Sequence, residues 1–193
     1  MPFDHFGIIA RFYNRAGKFQ VSERLFGLLC LSPDSLLLDA GGGTGRVAAA
    51  LISMVKQVFV ADISRGMLCR AAGKGLASVC APAEWLPFPS GSLERVIMVD
   101  ALHHVLDQSR TARELLRVLT HGGRIVIVEP DIRKFTVKAI AIGEKALLMR
   151  SHFLTGEKIA ALFTDPEART CLVYEGFNVI CVVEKVRSAP LLR

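Results

Sequence analysis

Short, largely apolar runs punctuate this chain at regular intervals: Leu36-Leu37-Leu38, Val58-Phe59-Val60, Leu76 to Ala81, Val96-Ile97-Met98-Val99 and Ile125-Val126-Ile127-Val128. Between them lie stretches that read as helices, one running through Leu51, one starting at Ser64 and one ending near Leu119. Continuous apolar runs, as opposed to alternating ones, are the mark of strands covered by helices on both faces. The segment from Phe3 to Leu31 reads as helical, with apolar positions at Phe6, Ile9 and Tyr13 and again at Leu25, Leu28 and Leu29, until Ser32-Pro33-Asp34-Ser35 breaks it.

The tail departs from this alternation. Thr170 to Tyr174 and Asn178 to Val186 flank Glu175-Gly176-Phe177, too short a link for a crossover helix, so an antiparallel hairpin is predicted. The expected fold is α/β, a doubly wound, mostly parallel seven-stranded sheet with a C-terminal antiparallel hairpin and an N-terminal helical cap. Residues 1–193 make one domain, with a cap over 1–31, a core over 35–130, a helical lid over 131–165 and the hairpin over 169–187.

Composition agrees with a single globular domain: 193 residues, 51% hydrophobic and 22% charged, with sixteen glycines and eight prolines. The five cysteines (Cys30, Cys69, Cys80, Cys171 and Cys181) form no C-x-x-C pair and sit in apolar stretches, which predicts reduced, buried thiols. Met1 to His5 lacks a basic region leading into an apolar one, and no apolar run approaches the ~20 residues that span a bilayer, so a cytoplasmic protein is expected. The net charge of +6 favours anionic partners only mildly.

The candidate chemistry begins at the end of the first apolar run. Asp39-Ala40-Gly41-Gly42-Gly43-Thr44-Gly45-Arg46 leads from strand into helix. Gly41, Gly43 and Gly45 remove the Cβ atoms that would hold a ligand away and permit the dihedrals of a tight turn. Asp39 places a carboxylate beside that turn, and Asp62 ends the next strand, where a carboxylate can accept both hydroxyls of a ribose. Gly43, Gly45 and Ala48, with Asp62 nineteen residues beyond Gly43, also satisfy a loose dinucleotide pattern, so the loop alone leaves NAD open. It leaves a purely structural glycine turn open too. No Lys-Ser or Lys-Thr pair follows, which excludes the phosphate loop of an NTPase.

Five further segments stand in order: Asp62-Ile63-Ser64-Arg65-Gly66-Met67-Leu68, Ala83-Glu84-Trp85-Leu86-Pro87-Phe88, Ala101-Leu102-His103-His104-Val105, Arg117-Val118-Leu119 and Gly122-Gly123. With the glycine loop, this series closely resembles the ubiquinone/menaquinone-type family of class I S-adenosylmethionine-dependent methyltransferases, over residues 35 to 130. The resemblance implies a Rossmann-like fold and S-adenosyl-L-methionine as cofactor, with S-adenosylhomocysteine as product. It puts Ala40, Gly41, Gly43, Thr44 and Gly45 at the methionine and ribose, Asp39 beneath them, Asp62 on the ribose hydroxyls and Ile63 on the adenine. Ala83, Glu84 and Trp85 fall where the family lines the far side of the adenine, with the indole of Trp85 placed to stack there; Met67 and Asp100 complete the implied cofactor set, and Tyr13 of the cap reaches the methionine end. Two positions depart from the family pattern: Pro82 replaces an aspartate that bonds the adenine amino group, and His121 replaces a turn proline.

Methyl transfer from a sulfonium is an in-line displacement with a neutral leaving group, so positioning is the main task. If the acceptor has a proton to lose, Asp100, His103 and His104 are the candidates to take it. No metal-ligand spacing is present. In the lid, Phe135, Ala139, Ile142, Ala146 and Met149 share one helical face, and Lys134, Lys138 and Lys145 another. Together with Phe3, Phe6, Phe12 and Tyr13 they suit a small, apolar or aromatic acceptor, and the lysines suit an anionic group or peripheral contact with a membrane surface. A catalytically silent binding module on the same fold and an RNA methyltransferase are the competing readings, although no basic-aromatic patch points to nucleic acid.

Overall fold

The computed structural model describes residues 22–134, 137–138 and 151–187. Most of the cap expected over 1–31, Tyr13 included, lies outside these residues. So do Phe135, Ala139, Ile142, Lys145, Ala146 and Met149 of the expected lid.

The chain runs α1 (Glu23–Leu29), β1 (Leu36–Ala40), α2 (Arg46–Leu51), β2 (Gln57–Asp62), α3 (Arg65–Ala72), β3 (Ala77–Cys80) and β4 (Leu93–Val99). It continues through α4 (Gln108–Val118), β5 (Leu119–Pro130), α5 (Gly156–Ala160), β6 (Ala168–Glu175) and β7 (Asn178–Lys185). The strands form one seven-stranded sheet in the order β3-β2-β1-β4-β5-β7-β6. β7 inserts antiparallel between β5 and β6, and every other pairing from β3 to β5 is parallel. The predicted doubly wound architecture and its terminal hairpin are therefore present.

The apolar runs resolve into two faces. Leu38, Val96, Met98, Ile125 and Ile127 enter one core cluster with Leu115 of α4 and Ile159 of α5. Their strand neighbours Leu37, Ile97, Val126 and Val128 enter another, with Leu29 of α1, Leu51 of α2 and Ala71 of α3. Because successive side chains on a strand point to opposite faces, only a sheet covered on both sides can bury consecutive apolar residues.

Helix starts follow local chemistry. Ser22, Ser64, Asp107 and Thr155 each accept a backbone N–H from the first turn of the helix that follows. At the other end of α1, Arg95 Nε donates to the carbonyls of Leu29 and Cys30, and Arg124 Nη1 donates to that of Leu28. Two guanidinium groups of the central strands thus satisfy carbonyls that a helix end leaves unpaired.

Two details differ from the sequence expectation. β5 begins at Leu119, with the Gly122-Gly123 turn inside it, because the ladder to β4 continues upstream of an irregularity between Leu93 and Arg95. Four cysteines, Cys30, Cys69, Cys80 and Cys171, are exposed, and only Cys181 is buried. Cys80 and Cys171 lie on the sheet's two edge strands, β3 and β6, neither of which has a fully buried residue. Among the described residues, no helix is long and apolar enough to cross a membrane.

Candidate functional site

The strand order reverses at β1, which has β2 on one side and β4 on the other. Ligands on open α/β sheets sit at such a point, beyond the carboxyl ends of the strands. Here the glycine loop leaves β1. Gly41 N and Gly42 N donate to Ala61 O at 2.7 and 3.2 Å, and Gly43 N donates to Asp62 Oδ2 at 2.9 Å. Gly41, Gly43 and Gly45 have φ of 68°, 54° and 70°, in the left-handed region that side chains disfavour. A Cβ on Gly41 would lie 2.7 Å from Ala101 Cβ, and one on Gly45 would collide with Leu76. At Gly43 the nearest atoms, Asp62 Oδ2 and Met67 Sδ, are 3.9 Å away, so the loop's surface there is open.

Asp39 lies under the loop and is 1% exposed. Its Oδ2 accepts Ala48 N at 3.1 Å, whereas Oδ1 is buried with no hydrogen-bond partner. Burial pushes its carboxyl up to about 7; the Ala48 bond opposes this, Asp62 adds to it and Arg46 opposes it. Asp62 uses Oδ2 on Gly43 N and Oδ1 on Ser64 N, and a carboxylate oxygen accepts more than one hydrogen bond.

The cleft above the loop is open to solvent and spans about 1120 Å³, the solvent at its mouth included. Asp39, Gly41, Gly43, Thr44, Asp62, Ile63, Met67, Ala83, Glu84, Asp100 and His104 line it. Glu84 is buried, and its Oε1 accepts Leu106 N and Asp107 N at 2.8 and 3.2 Å, which ties the segment after β3 to the loop before α4.

Other expected residues are not on the cleft wall. Ala40 is buried in the core of the sheet, and Gly45 packs against Leu76 and Ala71 beneath the loop. Trp85 is 61% exposed outside the cleft, with the Arg110 guanidinium 3.0 Å from its ring centroid. That stacking occupies the indole on a surface.

The two histidines separate. His103 is buried, its Nδ1 2.5 Å from Glu129 Oε2, and its ring stacks on Phe153 with centroids 4.2 Å apart. Glu129 Oε1 also accepts Ala101 N and Leu102 N at 3.0 and 2.8 Å, so one carboxylate at the end of β5 gathers three consecutive residues of the turn after β4. His104 lines the cleft, and Ser151 Oγ is 3.4 Å from its Nδ1. Burial, with the adjacent His103, pushes its imidazole down to about 3, so it is neutral at physiological pH. Asp100 opens this turn at φ 51°, an uncommon conformation for a residue with a side chain.

Sequence reasoning missed Glu129, Arg46, Val105 and Leu106. The signal for Glu129 was an acid closing the apolar run 125–128, at the strand end where ligands gather. Among the described residues, no group of three or more His, Cys, Asp or Glu could hold a metal.

The site fits S-adenosylmethionine. The carboxylate of Asp62 at the end of β2 is of the kind that accepts ribose hydroxyls, and the orphaned Asp39 Oδ1 and neighbouring carboxylates suit a ligand with cationic centres.

Residues 38–127 match the family described as methyltransferase domain. A demethylmenaquinone methyltransferase from Mycolicibacterium vanbaalenii is 35% identical over 123 residues, 64% of this chain and 53% of that protein. The chain thus spans about half the length of the curated relatives it matches. Among solved structures, the Haloferax volcanii protein in complex with the Trm112 methyltransferase activator superposes with a TM-score of 0.84 at 15% identity, covering 97% of this chain and 100% of that one. Geranyl diphosphate C-methyltransferase from Streptomyces coelicolor, solved with Mg²⁺, geranyl diphosphate and S-adenosyl-L-homocysteine, has a TM-score of 0.70 at 16% identity, covering 85% and 76%. At these identities the two structures speak for the fold.

Proposed function

We propose that the chain, whose residues 38–127 match a methyltransferase domain, is a class I S-adenosylmethionine-dependent methyltransferase that transfers a methyl group to a small, largely apolar acceptor. The observation that carries this reading is the cleft at the β1/β4 switch point, with the glycine loop and Asp62 at one end and the neutral His104 at the other.

S-Adenosylmethionine, when bound, supplies an electrophilic methyl on a sulfonium. The chain's own residues position and exclude. Asp62 holds Gly43 and Ser64 and orients a ribose. Glu129 fixes the turn after β4, and so the place of His104. An imidazole that stays neutral carries no charge to attract an anion; it accepts a hydrogen bond from an acceptor hydroxyl and orients it towards the methyl. With its pKa so low, His104 is a weak base, so its contribution is orientation, and the proton the acceptor loses on methylation passes to water at the open side of the cleft. Val99, Val105 and Leu106 supply apolar walls. A hydroxylated aromatic ring satisfies both features, which agrees with the names of the quinone-methylating relatives.

Calorimetric titration with S-adenosylhomocysteine, followed by transfer of a labelled methyl to hydroxyaromatic acceptors, tests the reading. Micromolar binding and label transfer are expected. Binding without transfer to any acceptor would favour a silent binding module, and absence of binding would overturn the cofactor assignment.

A further inference from the structure

Among the described residues that line the cleft, four carry carboxyl groups, Asp39, Asp62, Glu84 and Asp100, and Arg46 alone carries a permanent positive charge. The fifth titratable group, His104, is neutral at physiological pH. S-Adenosylmethionine and its demethylated product each end in an α-carboxylate, an anion that would be costly to desolvate beside the carboxylates of Asp62, Glu84 and Asp100 without a cation.

The fold says which end of the cleft that cation serves. Asp62 ends β2 and Asp100 follows β4, on opposite sides of β1. Arg46, the first residue of α2, reaches to the Asp100 side, its Nη2 3.8 Å from Asp100 Oδ2. A ligand whose ribose meets Asp62 and whose long axis crosses the loop therefore brings its amino-acid tail to Arg46 and Asp100. The two side chains are 31% and 43% exposed, at the cleft's mouth, where an ion pair between them is worth little by itself. A guanidinium has five N–H donors in a planar fork, so it can take a carboxylate in a bidentate grip while it keeps its approach to Asp100.

We propose that Arg46 is a specificity-determining residue of the cofactor site, gripping the α-carboxylate of the amino-acid tail while Asp100 faces the tail's ammonium group. This assignment rests on the cofactor reading above. It makes the site selective for thioethers that carry the homocysteine tail over those that end at a methylthio group.

The test is calorimetric titration of the full chain and of Arg46→Met and Arg46→Lys with two probes, S-adenosylhomocysteine and methylthioadenosine, which has the same nucleoside but no tail. Arg46→Met is expected to weaken S-adenosylhomocysteine roughly 10- to 100-fold, the range of a lost charge-assisted pair. Methylthioadenosine affinity should stay within about twofold, and Arg46→Lys should restore part of the loss. Methylthioadenosine binding also reports that the variant's nucleoside site is folded. Equal losses for both probes would make Arg46 merely structural, and unchanged S-adenosylhomocysteine affinity would place the carboxylate elsewhere; either overturns the proposal. Failure of the unaltered chain to bind either probe overturns the cofactor reading, and this assignment with it.

Discussion

His103 Nδ1 and Glu129 Oε2 meet at 2.5 Å, and both side chains are 4% exposed. The carboxylate comes from the end of β5 and the imidazole from the turn after β4, twenty-six residues earlier in the chain. Around them, His152 N donates to His103 O, and Gln108 Nε2 donates to Leu102 O and His152 O. One buried pair thus joins the wall of the cleft to His152 and Phe153.

Removing one partner leaves the other group buried with its polar atoms unmet, which costs more than the pair contributes. Glu129→Ala is expected to destabilise the protein by about 3–5 kcal/mol, because it strands His103 and two backbone N–H groups. Glu129→Gln keeps an acceptor oxygen and should cost less than half as much. Urea denaturation of the three proteins checks the order; equal costs would show that the hydrogen bonds to Ala101 and Leu102 do not depend on this side chain.

Trp85 is the chain's single tryptophan, which makes its environment directly measurable. Its place outside the cleft, stacked on Arg110, predicts emission close to that of solvated indole and little change on S-adenosylhomocysteine addition. Trp85→Phe should alter affinity for that ligand less than about twofold. A tenfold loss would place the ring against the adenine after all.

The glycine loop was legible in the sequence because its residues dictate its shape: three positions at positive φ must be glycine or pay strain, and they are. The two-faced core was legible for a similar reason, since a run such as Val96-Ile97-Met98 has no other way to be buried. The roles of His103 and His104 were not. Adjacent residues in a short 3-10 turn point in different directions, and which one turns inward depends on Glu129, far along the chain. Trp85 and the cysteines were obscured alike: apolar neighbours in sequence say nothing about Arg110 across the surface or about a strand's position at the sheet edge.

Asp62→Ala tests the cofactor placement. The variant loses acceptors for Gly43 N and Ser64 N and the expected grip on ribose hydroxyls. A drop of at least about tenfold in S-adenosylhomocysteine affinity is expected, with a stability cost of about 1–3 kcal/mol and an unchanged far-ultraviolet dichroism spectrum. Unchanged affinity would move the ribose away from β2.

Asp39 predicts how stability depends on pH. Its carboxyl titrates near 3.8 ordinarily and at about 7 in the fold, chiefly because burial disfavours the charged form. The folded state therefore holds this proton more tightly than the unfolded chain does. The group's contribution is fully present below the ordinary value and is lost as pH rises through about 7, so this residue makes the ligand-free protein less stable at pH 8 than at pH 5, by on the order of 3 kcal/mol at most. Asp39→Asn has no proton to lose and should flatten that part of the profile while raising the melting temperature at pH 8 relative to the unaltered chain. A cationic ligand seated near Oδ1 favours the carboxylate, so its binding should release a proton from the unaltered protein near pH 6 and none from Asp39→Asn. Titration in buffers of different ionisation enthalpy reads that proton directly; equal heats in all buffers would mean that Asp39 is already ionised in the ligand-free fold.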